Sequence, residues 1–161
     1  MDREFTCFFT GHRIIAKDKI PAIGERIRRE ALALINDKGV TDFITGGALG
    51  FDTIAAQVII NLKKEYDYIK LHLYLPCYNQ MKNWSARGRY EARMIMSYAD
   101  SKIYVTEGNY VTGCMQLRNE KMADDARYCI AYMNNPRSGT ANAVAYAQNN
   151  GGTVINIDYE F

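Results

Sequence analysis

The chain has 161 residues, enough for one compact unit with a real core, and a single domain over residues 1–161 is expected. Its balance is that of an ordinary globular protein, with 48% apolar and 24% charged residues, and a formal net charge of +2 gives no field that argues for nucleic acid or an anionic membrane. No apolar run approaches the roughly 20 residues of a membrane span, and the opening MDREFTCFFTG is acidic at position 2 and strand-like at once, so no export signal is read and a cytoplasmic protein is expected.

The elements follow in chain order. FTCFFT (Phe5 to Thr10) reads as a buried strand. Ile23, Ile27, Ala31, Leu34 and Ile35 recur at helical spacing, and Gly39 is the stop signal. DFIT (Asp42 to Thr45) is a second short strand. Ile54, Ala55, Val58, Ile59 and Leu62 form the apolar stripe of a second helix. KLHLYLP (Lys70 to Pro76) is a third strand closed by proline. A helix over Trp84 to Ala99 carries Ala86, Tyr90, Met94 and Tyr98 on one face. KIYVT (Lys102 to Thr106) is a fourth strand, Met115 to Asp125 a shorter helix, and YCIAYM (Tyr128 to Met133) a fifth strand. Thr140 to Asn150 is a helix ended by Gly151 and Gly152. TVINI (Thr153 to Ile157) is the sixth strand.

Strands alternating with helices imply right-handed βαβ units. The expected fold is α/β: a Rossmann-like three-layer αβα sandwich around a mostly parallel six-stranded sheet. Near-continuous apolar strands fit a sheet buried on both faces. Such sheets take ligands outside the carboxyl ends of their strands, where strand order reverses. Function is therefore sought in the loops that follow the strands.

The second of these loops lies in DFITGGALGFD. Gly46, Gly47 and Gly50 let a ligand approach the main chain or simply permit a tight turn. Free N–H groups at the next helix favour an anion. The dinucleotide fingerprint is absent, because GxGxxG in this frame needs glycine where Thr45 stands. GxxxxGK[ST] does not occur either. Asp52 stands at the helix entry. It either complements the helix dipole as a cap, or accepts ribose hydroxyls or a proton. In the first loop, Thr10, Gly11, His12 and Arg13 bring a phosphate fork and a proton carrier to one strand end, against the plainer reading of a surface charge. In the fifth loop, Ser138, Gly139 and Thr140 precede a helix and offer hydroxyls and N–H groups to an anion, or an ordinary N-cap; Arg137 adds charge. Arg87, Arg89 and Arg93 read as a solvated helix face, and His72 as structural. Cys7, Cys77, Cys114 and Cys129 form no CxxC pair, so neither a metal site nor a cofactor is called for.

Together, FFTGHR, ITGGALGFDTIAAQ, LPCYNQMKNWS, YVTEGNYVTGCMQLRNEKMAD and SGTANAVAYA resemble the YpsA-like branch of the SLOG superfamily. That superfamily also holds DprA and the LOG phosphoribohydrolases. The resemblance runs from Phe5 to about Ile157. It implies a nucleotide-type pocket built from Thr10, Gly11, His12 and Arg13, from Gly46, Gly47, Gly50 and Asp52, from Arg118 and Asn119, and from Ser138, Gly139 and Thr140. It implies ligands such as ADP-ribose or NAD derivatives and, by likeness to LOG proteins, a homodimer. One departure matters. LOG enzymes carry PGGxGTxxE near the fifth strand, whereas here Pro136 to Thr140 is one residue shorter and Ala143 stands where the acid would be. The main expectation is therefore a binder of a nucleotide-derived small molecule, with neither membrane nor nucleic acid as partner. An N-glycosidase acting on nucleoside 5'-monophosphates, with Asp52 as the catalytic carboxylate, and a protein-interaction module without ligand are the alternatives.

Overall fold

The computed structural model describes residues 1–158. Its six strands are β1 (Thr6–Gly11), β2 (Asp42–Thr45), β3 (Lys70–Leu75), β4 (Ser101–Tyr104), β5 (Tyr128–Tyr132) and β6 (Thr153–Asn156). Five α-helices alternate with them: α1 (Ile20–Lys38), α2 (Phe51–Leu62), α3 (Ala86–Tyr98), α4 (Cys114–Asp125) and α5 (Gly139–Asn149). Every strand pairing is parallel, in the order β4-β3-β2-β1-β5-β6. The expected α/β sandwich is therefore present, with a sheet that is wholly parallel.

Alternation along each strand divides the core in two. Cys7, Phe9, Phe43, Leu71 and Leu73 face one side, where α1, α2 and α3 cover them. Phe8, Ile44, Tyr74, Cys129 and Ala131 face the other, under α4 and α5. All five periodic residues of α1 are buried, and Gly39 ends the helix in the left-handed conformation at φ 70°. The helix over 86–98 behaves differently. Its stripe of Ala86, Tyr90, Met94 and Tyr98 faces outward, with Tyr90 63% exposed, while Gly88 and Ile95 face the sheet. Phe5 is likewise not in the first strand. It closes a 3-10 turn over Arg3–Phe5 and is exposed. His72 is structural, as expected: it bridges Asp42 on β2 (2.7 Å) and Ser101 on β4 (2.6 Å). No helix of the described residues is long and apolar enough to cross a membrane.

The strand order places the functional edge. From β1 the chain steps outward through β2, β3 and β4, then returns to the far side of β1 for β5 and β6. The loops leaving β1 and β5 therefore part in opposite directions and open a crevice between them.

Candidate functional site

Close packing shapes the first loop. A Cβ on Gly11 would overlap the ring of Phe51, so the end of β1 lies directly on α2. The Phe51 N–H donates to the His12 carbonyl at 3.1 Å. The His12 ring meets Tyr132 edge-on at 5.7 Å, and its Nε2 accepts the Asn134 N–H at 3.1 Å. That acceptor role puts the ring proton on Nδ1. His12 thus ties the loops after β1 and β5 across the crevice.

The glycines of the second loop answer to the protein itself. A Cβ on Gly46 would overlap the Arg118 guanidinium. Gly47 has φ +70°, and a Cβ there would lie 2.6 Å from Leu75. Gly50 has φ +77° and abuts the backbone carbonyls of His12 and Arg13. Two carbonyls and one N–H of the turn are also engaged. The Gly46 carbonyl accepts from Arg118, the Gly47 carbonyl accepts from Gln80 Nε2 at 3.2 Å, and the Ala48 N–H donates to Asp52 Oδ2 at 3.1 Å. Gly46, Gly47 and Gly50 stand behind the crevice and contribute no wall to it. Asp52 does not cap α2 either, since Gly50 is the N-cap and has no side chain to offer. Its carboxylate folds back to close the turn.

The fifth loop follows the plainer reading for one residue. Ser138 is the N-cap of α5: its hydroxyl accepts the Ala141 N–H at 3.0 Å and donates to the Asn135 carbonyl at 2.7 Å. Gly139 has open space where a Cβ would stand, and Thr140 is buried beside it. The positive end of α5 therefore faces the crevice.

What these loops line is an open cleft with about 240 Å³ of free space at the point where strand order reverses. Ten expected residues line it: Thr10 to Arg13, Asp52, Arg118, Asn119, and Ser138 to Thr140. Ala48, Phe9, Met115 and Met122 complete the walls and went unnoticed in the sequence. The signal for α4 was present, because Met115, Arg118, Asn119 and Met122 follow i, i+3, i+4, i+7 spacing and share one helical face.

The electrostatics are concentrated here. Six polar or charged residues are buried among those described, and four of them, Thr10, Asp52, Arg118 and Thr140, line this cleft. Asp52 is 6% exposed and Arg118 is 5% exposed. Burial raises the Asp52 carboxyl above its ordinary value, and the charges of Arg118 and Arg13 with the Ala48 N–H oppose that rise. Burial likewise lowers Arg118, while Asp52 supports its charge. Yet the two do not bond to each other. Arg118 instead donates through Nε to Asn119 Oδ1 at 2.8 Å and through Nη1 to Gly46. Arg13 reaches across the mouth to the Met115 sulfur at 3.6 Å and forms no ion pair among the described residues. Opposite charges, desolvated but unjoined, thus face a common space.

The SLOG family model YpsA, described as the YspA SLOG family, matches residues 9–158. The chain belongs to this family. Its relatives include the uncharacterized SPbeta prophage-derived protein YoqJ of Bacillus subtilis (strain 168), 34% identical over 143 residues that span 82% of this chain and 80% of YoqJ. A UPF0398 protein of Bacillus thuringiensis (strain Al Hakam) is 25% identical over 138 residues, 85% of this chain and 74% of the relative. Among solved structures, DNA processing protein A of Helicobacter pylori superposes with a TM-score of 0.66 at 16% identity over 94% of this chain. DprA of Streptococcus pneumoniae gives 0.62 at 17% over 92%. The chain spans 64% and 48% of those two proteins, and the likeness shows a shared fold. The H. pylori protein binds single-stranded DNA. That finding speaks against setting nucleic acid aside as a partner.

Proposed function

We infer that the cleft binds a phosphate-bearing, nucleotide-type small molecule. The observation that carries this reading is the unjoined pair of buried charges, Asp52 and Arg118, in one cleft at the strand switch. Desolvated charges are costly unless something completes their environment. Phosphate would lie toward Arg13 and the N-terminus of α5, where a guanidinium fork and a helix dipole both favour an anion. A carboxylate repels phosphate, so Asp52 suits a ribose hydroxyl. This reading assigns the phosphate to Arg13 and the N-terminus of α5 rather than to the expected Gly46–Gly47 cradle.

Two other readings have one observation each. An acid with a raised pKa in a cleft is a feature of catalytic sites, which supports the N-glycosidase. The fold shared with a protein that binds single-stranded DNA supports a polynucleotide chain as ligand.

One thermal-shift series separates the three. Ribose 5-phosphate, AMP, ADP-ribose and a short single-stranded oligodeoxynucleotide are offered to the wild-type chain. A ligand at 100 times its Kd adds about 2.7 kcal/mol of stability. A shift with the mononucleotides, diminished in Arg118→Met, is the expected result. A shift with the oligonucleotide alone transfers the site to DNA. Free adenine released from AMP, and lost in Asp52→Asn, makes the protein an enzyme. No shift with any probe contradicts the cleft as a ligand site.

A further inference from the structure

Four polar groups along the cleft have hydrogen-bonding capacity left over. Thr10, next to last in β1, is 5% exposed, and Thr140, in the first turn of α5, is 7% exposed. Both line the cleft, and neither hydroxyl has a hydrogen-bond partner among the described residues. Asp52 holds the Ala48 N–H with Oδ2, and its Oδ1 has no partner among those residues. Asn119 gives its carbonyl oxygen to Arg118 Nε at 2.8 Å, which leaves its amide N–H groups as donors. Buried polar groups normally find partners, so these four together call for one that the chain itself does not supply.

Their mixture says what kind of partner. One group only accepts, one only donates, and two hydroxyls do both. A ring that carries several hydroxyls answers all of them, because each hydroxyl also donates and accepts. A flat heteroaromatic base presents its polar atoms along one edge and would leave the carboxylate or the threonines unmet.

Space points the same way. The free volume of about 240 Å³ falls below the roughly 300–1,000 Å³ of sites that bury a drug-sized ligand. Nor does a base find room behind the cleft. The apolar cavity there, lined by Asp52, Leu73, Leu75 and Gln80, has about 20 Å³ of free space, enough for a single water. Gln80 Oε1 is buried and has no partner among the described residues, an acceptor that such a water suits.

We propose that the cleft is a 5-phosphopentose site: Thr10, Asp52 and Asn119 hold the sugar hydroxyls, and whatever C1 carries stays outside and is not read. The proposal rests on the cleft reading above and narrows its ligand class. Selectivity then lies in the sugar, and nucleotides with different bases are equivalent.

The test is calorimetric titration of the full chain with ribose 5-phosphate, 2-deoxyribose 5-phosphate, AMP and UMP. With O5 phosphorylated, both free sugars close only as furanoses, so they differ in one hydroxyl. Ribose 5-phosphate, AMP and UMP should bind within about threefold of one another, and the deoxy sugar about tenfold more weakly. Thr10→Val removes a hydroxyl that no protein group uses. Its urea midpoint should stay at or above that of the wild type, while ribose 5-phosphate binds about tenfold more weakly and inorganic phosphate binds as before. Equal affinities for the two sugars, or AMP and UMP tenfold apart, overturn the proposal and leave the cleft reading intact. Failure of all four ligands to bind overturns both. The wild-type comparison decides the matter even if Thr10→Val folds poorly.

Discussion

Arg118 on α4 donates to the carbonyl of Gly46 in the turn between β2 and α2, and that bond joins one wall of the cleft to the loop behind it. The same guanidinium is the nearest strong compensation for the buried charge of Asp52. Structure and electrostatics therefore depend on one side chain. Arg118→Met leaves the Gly46 carbonyl without its Arg118 donor and removes the largest charge compensation of Asp52. A loss of about 1–3 kcal/mol is expected in urea unfolding. Arg118→Lys keeps the charge but not the fork, and falls between the two.

Asp52 gives the protein a pH signature. Its pKa is raised in the folded chain, with burial as the main cause. A raised acid contributes stability that is complete below its unfolded value and is lost as pH rises through its folded value. Wild-type stability should therefore decline from the ordinary carboxylate value of 3.8 upward, through the raised pKa of Asp52. In Asp52→Asn that part of the decline disappears. Chemical denaturation of both proteins across pH 4 to 8 checks it, and parallel curves would count against a raised Asp52.

Two glycines separate steric need from ligand access. At Gly46 a Cβ would overlap the Arg118 guanidinium, which would have to shift and give up its bond to the Gly46 carbonyl. Gly46→Ala should cost about 1–3 kcal/mol, the range of overpacked core sites. At Gly139 nothing stands within 4 Å of the added atom. Gly139→Ala should leave stability within about 0.5 kcal/mol while weakening ribose 5-phosphate binding. A destabilised Gly139→Ala would show that the N-terminus of α5 is packed by protein, as Gly46 is.

How much of this was legible beforehand differs from residue to residue. Strand and helix alternation was plain because parallel strands buried on both faces leave near-continuous apolar runs, as in FTCFFT. The strand order was not, since nothing local in YCIAYM says that it pairs with β1 on the side away from β2. The glycines of ITGGALG were correctly seen as special, but sequence cannot name what approaches a glycine. Here Arg118, Leu75 and the Arg13 backbone do so. In α3 the spacing of Tyr90, Met94 and Tyr98 marks a helix face, yet Gly88 and Ile95 turn the opposite one inward, where the close approach to Leu49 suits a glycine. Gln80 left no trace in CYNQMKN, because its isolation exists only once the loop folds over an apolar cavity.

Ser138 offers a variant that divides its two roles. Its hydroxyl caps α5 by accepting the Ala141 N–H. Ser138→Asp keeps a good cap and should hold stability within about 0.5 kcal/mol. The added charge repels a phosphate at that helix end, so affinity for ribose 5-phosphate should fall about tenfold. Ser138→Ala should do the reverse, at a cost of about 1 kcal/mol in stability with little change in binding. Urea unfolding and calorimetry on the two proteins check both halves.

The most direct test of the cleft is a titration of the isotope-labelled chain with ribose 5-phosphate, followed by amide NMR. Shifts should cluster at Gly11 to Arg13, Asp52, Arg118, Asn119 and Ser138 to Thr140, and should vanish in Arg118→Met. Unchanged spectra at millimolar ligand, or shifts confined to residues outside that cluster, would contradict the cleft as the binding site.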